Sequence, residues 1–346
     1  MKFLVRAWYD KAPWLWLLWP FSLFYRAVIY WRKRLHQAQA YRGEVPQVPI
    51  IVVGNITLGG TGKTPLVIAL CEHLKRQGRH PGIISRGYGG SSNTYPLAVT
   101  TSTPASIAGD EAVLIAEKTR CPVVVDPDRR RAFDALMSWS EVEVVLSDDG
   151  LQHYRLSRYL QIMVVDGERL FGNELCLPAG PLREPLSRLL DMDYLVINEG
   201  RPISHRALQN AYTMKIMPVA LTNLYTHQKC TFSEPPFREQ ATIQAVAALG
   251  NPQRFFATLE SLPYPVKAFS FPDHYRFQAS DFGSDKFDPD QPIVMTEKDA
   301  VKCREFVTTN MWSVDVEVDL PPNFLASIDL KLTKFDPFVE DFNRNR

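Results

Sequence analysis

The feature that most constrains this chain is a glycine-rich turn, Gly-Asn-Ile-Thr-Leu-Gly-Gly-Thr-Gly-Lys-Thr at 54–64, set between a β-branched run and a helix-like one. Residues 48–53 (Val-Pro-Ile-Ile-Val-Val) read as a buried strand, and 63–77 repeat apolar positions at helical spacing through Leu66, Leu70 and Leu74. Such a turn lets successive N–H groups curl onto a phosphate, with the positive end of the helix behind them. Thr57, Gly59, Gly60, Thr61, Gly62, Lys63 and Thr64 are therefore the candidate nucleotide contacts. Lys63 would bridge the β and γ phosphates, and Thr64 would offer its hydroxyl to Mg²⁺. Thr57 stands where the common pattern opens with glycine.

Strand and helix signals continue to alternate. Strands are expected at 82–85, 122–125, 142–146, 161–165 and 194–197, and helices at 110–118 and 129–139. Short apolar strands alternating with amphipathic helices imply an α/β fold, a parallel sheet covered by helices on both faces, with ligands at the carboxyl ends of its strands. The pattern changes near 213. Segments 214–221 and 314–320, the second strictly alternating, read as a paired two-stranded linker. Candidates at 241–249, 252–259 and 292–296 supply a smaller α/β domain between them. The expected organisation is thus a head over 1–42, a phosphate-loop core over 43–212, a linker at 213–222 and 313–320, a small domain over 223–312 and a C-terminal segment over 321–346.

The head is a different material from the body. Residues 1–42 hold eight bases and one acid, +7 in total, against +1 for the whole chain of 346 residues. They also hold Trp8, Trp14, Trp16, Trp19 and Trp31, five of the seven tryptophans. Aromatic rings beside Arg32-Lys33-Arg34 suit a membrane interface, whereas the uncharged run 12–25, broken by Pro20, is short of the roughly 20 residues a span requires. A helix docked on the body shares the same apolar content. The near-neutral total argues against a nucleic-acid coat. Cys71, Cys121, Cys176, Cys230 and Cys303 are widely spaced and odd in number, which suits small core residues in a reducing compartment.

Further motifs fall at strand ends. Asp148-Asp149-Gly150 closes an apolar strand where a phosphate-loop protein keeps a Mg²⁺-side acid, although Asp149 also fits a plain Asp-Gly turn. His153 after it could equally cap a turn. Gly109-Asp110-Glu111 opens a helix, so Asp110 is either a cap on the dipole or a catalytic acid. Arg86, in Ser-Arg-Gly-Tyr-Gly-Gly (85–90), should overhang the same cleft. Leu-Pro-Ala-Gly-Pro-Leu-Arg-Glu (177–184), Phe-Pro-Asp-His-Tyr (271–275) and Thr-Glu-Lys-Asp-Ala-Val-Lys (296–302) complete the set.

Taken in order, these blocks resemble the tetraacyldisaccharide 4'-kinases, the lipid A kinase family LpxK. The resemblance runs from the aromatic head to at least Lys302, and this family tolerates a small hydroxylic residue at the position of Thr57. It implies transfer of the γ-phosphate of ATP, with Mg²⁺, to the 4'-hydroxyl of an acylated glucosamine disaccharide 1-phosphate, giving lipid IVA. The site implied is peripheral, at the cytoplasmic face of the inner membrane, with neither nucleic acid nor an obligate protein partner. Carried onto matching positions, Asp110 is the base, His274 its partner, and Asp148 and Asp149 the metal-side acids. Arg86, Tyr88, Arg183 and Glu184 become substrate or nucleotide contacts. The competing reading is a membrane-associated switch ATPase of the partitioning type, whose loop resembles 58–64. Those proteins carry a lysine where this chain has Leu58.

Overall fold

The computed structural model describes residues 2–40, 46–200 and 205–336. Its frame is one continuous sheet. The first eight strands are β1 (Ile50–Gly54), β2 (Pro81–Ser85), β3 (Leu97–Val99), β4 (Val123–Val125), β5 (Val144–Asp148), β6 (Leu160–Asp166), β7 (Tyr194–Asn198) and β8 (Tyr212–Asn223). They lie in the order β3-β4-β2-β5-β1-β6-β7-β8, parallel except at the β3 edge. The expected α/β class and helix-covered parallel sheet are what the chain forms.

Alternation along the strands explains why both faces are covered. Ile51, Val53, Val144, Leu146, Ile162 and Val164 enter one core with Leu66, Leu70 and Leu74 of the helix Lys63–Arg76. Ile50, Val52, Val145, Met163 and Val165 enter the other, with Phe133 and Leu136 of the helix Arg129–Trp139. Successive residues point to opposite faces, so a strand that is apolar throughout must be sandwiched. The helix Pro322–Thr333 returns to the first core through Phe324, Ile328 and Leu332.

The remaining strands are β9 (Lys229–Thr231), β10 (Ile243–Ala247), β11 (Val266–Ser270), β12 (Ile293–Thr296) and β13 (Met311–Asp319). They extend the sheet as β11-β10-β12-β13-β8, with β9 on β8. Here Ile243, Ala245 and Val294 face one core, and Val246, Ile293 and Met295 the other. The long strand β8 pairs with β7 over Tyr212–Met214 and then antiparallel with β13 from Lys215↔Asp319 to Asn223↔Trp312. That two-stranded ribbon is where the parallel sheet of the first region gives way to the second.

At the N-terminus, helices Lys2–Tyr9 and Trp19–Ala40 flank a short 3-10 turn at Pro13–Leu18. Ala7, Trp8 and Leu15 are buried against Leu58 and Leu177, and the Trp8 indole donates to the Pro178 carbonyl at 3.0 Å. Trp16, Leu17, Phe21, Phe24, Trp31 and Leu35 stay exposed. The head is thus docked along one stripe and bare along another. No described helix is long and apolar enough to cross a membrane. Met1 and 41–42 of the expected head, and 337–346 of the expected C-terminal segment, lie outside the described residues.

Candidate active site

Sheet register brings the motifs to one edge. Val53 pairs with Asp148, so the acid ends its strand beside the start of the glycine turn, and β2 ends at Ser85 next to Arg86 on the same side. Gly62, at φ +94, caps the helix Lys63–Arg76. A Cβ there would lie 2.7 Å from the Asn198 amide and 2.8 Å from Met214. Both conformation and space therefore demand glycine. The Thr57 and Thr64 side chains lie in largely buried positions at the two ends of the turn.

Lys63 reaches across the turn to Asp149, with Nζ 3.5 Å from Oδ1, and Arg183 meets Oδ2 of the same carboxylate at 3.3 Å. Burial would raise the Asp149 carboxyl, but these cations hold it below its ordinary range. Asp149 has φ +50, so the turn reading of Asp149-Gly150 and an electrostatic role describe one residue. Asp148 differs. It is almost fully buried, neither carboxylate oxygen has a hydrogen-bond partner, and burial, together with Glu111 and Asp149, pushes its carboxyl up to about 7. A buried carboxylate left unpartnered at the strand end next to the glycine turn suits a hard cation that takes its other ligands from phosphate and water. Among the described residues there is no group of three or more His, Cys, Asp or Glu able to cage a metal.

Asp110, at the first turn of the helix Asp110–Thr119, is buried. His274 approaches from the second region, its Nδ1 3.3 and 3.2 Å from the two carboxylate oxygens. Two residues 164 positions apart thus share a hydrogen bond. Lys298 and Lys302 add ammonium groups at 3.8 and 3.9 Å. Burial alone would raise the Asp110 carboxyl; the His274 hydrogen bond and the two lysines outweigh it and hold the group below the usual carboxylate range. Asp110 also accepts the Glu111 N–H at 3.0 Å; the helix cap itself is Gly109, so Asp110 is an acid of the first turn and not the cap. His274 adopts φ +58 and stacks edge-on to Tyr88, ring centroids 4.6 Å apart.

The other expected residues divide. Arg86 and Tyr88 are exposed, Tyr88 with its ring against His274. Arg183 faces Asp149. Glu184 does not face the cleft: it is 2% exposed, one oxygen accepting from Tyr154 and the other from Gln152 Nε2 at 3.0 Å. These bonds anchor the end of the loop 177–184. His153 lies in a turn, its amide bonded to the Gly150 carbonyl at 3.0 Å, and burial pushes its imidazole down to about 3.

Several residues at the site are not singled out by the sequence patterns. Arg129 is buried under Asp148 and donates to the carbonyls of Asp126 and Asp148 at 2.9 and 3.1 Å. A signal exists for it: Arg129-Arg130-Arg131 in a first helical turn oppose the dipole, so one of them needs another reason to be there. Lys298 bonds Glu111 at 2.8 Å while flanking Asp110. Its block, 296–302, stands among the sequence motifs without a role of its own. Arg169 and Asn198 contact the phosphate loop and carry no signal of spacing at all.

A model of the tetraacyldisaccharide-1-P 4'-kinase family, LpxK, fits residues 14–333. The chain belongs to this family. A tetraacyldisaccharide 4'-kinase of Nitrosococcus oceani is 44% identical over 330 residues, covering 94% of this chain and 93% of its own. One from Pseudomonas fluorescens is 44% identical over 336 residues, covering 96% and 97%. Among solved structures, LpxK from Aquifex aeolicus in complex with ATP superposes with a TM-score of 0.72 at 29% identity, over 92% of this chain and 99% of that one. The LpxK family spans both sheet regions, so the ribbon between them and both halves of the cleft belong to one enzyme framework.

Proposed function

We propose that this chain transfers the γ-phosphate of ATP to the 4'-hydroxyl of a tetraacylated glucosamine disaccharide 1-phosphate, giving lipid IVA. The observation that carries the reading is the buried Asp110 carboxylate, hydrogen-bonded to His274 of the second region and flanked by Lys298 and Lys302, in a chain that also carries the phosphate loop. A sugar hydroxyl is a weak nucleophile, and a positioned carboxylate can take its proton as the oxygen attacks phosphorus. Asp110 is the base, and His274 orients it through Nδ1. The new O–P bond forms as the γ-phosphorus leaves the β-γ bridging oxygen of ATP. Lys63 and the loop N–H groups oppose the charge on the transferring phosphoryl. Thr64 and Asp148 would hold Mg²⁺, with Asp149 close by; the ion would neutralise phosphate charge.

Arg86, Tyr88 and Arg183 are then contacts for the anionic substrates. The two sheet regions act as domains hinged at the β8–β13 ribbon, since the Asp110 and His274 partners lie on opposite sides of it. The exposed aromatic stripe of the head, followed by Arg32, Lys33 and Arg34, suits peripheral attachment to the cytoplasmic face of the inner membrane, where the acyl chains of the substrate reside. Leu58 packs into the head, so the switch-ATPase alternative finds no cation at that position. The deciding experiment incubates the full chain with ATP and the tetraacyl disaccharide 1-phosphate. Mass spectrometry should show one added phosphate with the wild type and almost none with Asp110→Ala; an unphosphorylated lipid with the wild type would refute the reading.

A further inference from the structure

Three successive carbonyls of the phosphate loop are each held by a side chain from outside it or from its first residues. Asn55 Nδ2 donates to the Gly59 carbonyl at 3.3 Å, Arg169 Nη2 to that of Gly60 at 2.8 Å, and Asn198 Nδ2 to that of Thr61 at 3.2 Å. A trans peptide points its C=O and its N–H in opposite directions. Fixing these three carbonyls therefore turns the N–H groups of Gly60, Thr61 and Gly62 away from the holders. Glycine at 59 and 62 permits the required positive φ but cannot by itself choose one loop conformation among many. The choice is made by the three donors.

Arg169 is the charged one and makes contacts the two asparagines lack. Its Nε donates to the buried Asp166 carboxylate at 2.7 Å, which fixes the guanidinium plane. Nη1 lies 3.5 Å from the carbonyl of Gly250, at the end of the loop after β10 in the second region. That loop comes close: a Cβ on Gly250 would stand 3.0 Å from the Gly60 amide nitrogen. On its other side the guanidinium sits over the ring of Tyr9, 5.6 Å from the centroid, on the first helix of the head. The neighbouring loop residue Leu58 packs against that same head with Trp8 and Leu15.

We propose that Arg169 is a positioning residue for ATP: it holds the Gly60–Thr61 peptide in the phosphate-binding orientation and makes that orientation depend on the docked head through Tyr9. The proposal rests on the nucleotide reading of the loop and not on the identity of the acceptor.

The test uses the full chain in detergent micelles and measures ATP binding by calorimetry without acceptor, followed by KM for ATP and for lipid. Arg169→Ala should weaken ATP binding by about tenfold or more, the scale for losing a charge-assisted hydrogen bond, while the lipid KM changes less than about twofold. Arg169→Lys should recover only part, because an ammonium cannot serve Asp166 and the Gly60 carbonyl as a fixed fork. Tyr9→Leu alone should weaken ATP binding by about two- to fivefold, and should add nothing in the Arg169→Ala background. Unchanged ATP affinity in Arg169→Ala overturns the proposal. So does an equal loss for ATP and lipid accompanied by a lower unfolding temperature, which would make Arg169 a folding residue only. Should Arg169→Ala fail to fold, Arg169→Lys and Tyr9→Leu decide the matter by the same criteria. Wild-type protein that binds ATP but leaves the disaccharide unphosphorylated would refute the acceptor assignment and leave the Arg169 result standing.

Discussion

The two ends of the cleft are built in opposite ways. The phosphate loop is one stretch of eleven residues, 54–64, between a strand and a helix that sequence neighbours already dictate. The Asp110 cluster draws Asp110 from one helix start, His274 from a loop before the 3-10 turn Ala279–Phe282, and Lys298 and Lys302 from the residues after β12. Local geometry gives the first its strand, turn and helix, with Arg169 and Asn198 holding its carbonyls, whereas the second exists only where the two sheet regions meet. Most of the nucleotide end therefore lies within the large region, with Gly250 of the second touching it through Arg169, whereas the Asp110 cluster needs His274, Lys298 and Lys302 of the second region.

The sharpest way to break this contrast is Asp110→Ala. It should lower kcat by about 10²–10⁴-fold, the range for general-base assistance, with ATP affinity retained. His274→Ala should lose somewhat less, and the double variant should be little worse than Asp110→Ala alone, because the two act as a unit. Multiplicative losses in steady-state kinetics would separate them and dissolve the cluster. Next comes Lys63→Ala, expected to cost about 10²-fold in kcat. Unlike Asp110→Ala, it should also weaken ATP binding; equal ATP affinities for the two variants would erase the distinction between the ends.

A smaller effect probes how the second region sets the base. In Lys298→Met the burial cost on Asp110 loses one of its counterweights, so the carboxyl should titrate higher than in the wild type. Because a depressed carboxyl is ionised and active down to low pH, removing the lysine should move the acid limb of kcat toward neutrality, while Lys298→Arg should leave it nearly in place. Profiles of kcat from mildly acidic to mildly basic pH that superimpose would remove Lys298 from the site. The mildest change is on the head. Replacing exposed Phe21, Phe24 and Trp31 with Ser should weaken sedimentation with anionic vesicles and raise the lipid KM by several-fold without altering the ATP KM. A shift in the ATP KM of equal size would mean that these rings, like Trp8, belong to the docked stripe.

Much of this is legible from local pattern. The strand–turn–helix at 48–77, the apolar run into Asp148 and the helix opening at Asp110 follow from periodicity and turn chemistry, and they are correct to within a few residues. The short edge strands β3 and β9 are not, because three residues carry too little pattern, and the helix Pro322–Thr333 lies hidden inside an expected C-terminal segment of no stated structure. The partners of Glu184 were hidden for another reason. A charged residue at a motif's end looks ligand-facing until its partners Tyr154 and Gln152 are known.

What the sequence alone determined depends on neighbours along the chain: which longer apolar segments are strands, where the glycine turn falls, and which carboxylates close a strand of a parallel sheet. Tertiary structure decided which of those groups carry charge and which way they face. Asp148 is left unpartnered and pushed upward while Asp149, one residue later, is pinned downward by Lys63 and Arg183. The same composition yields opposite electrostatics because desolvation and the distance to a charge are set by residues far away in sequence, here Arg183 beside Asp149 and Glu111 beside Asp148, and no spacing rule reports them.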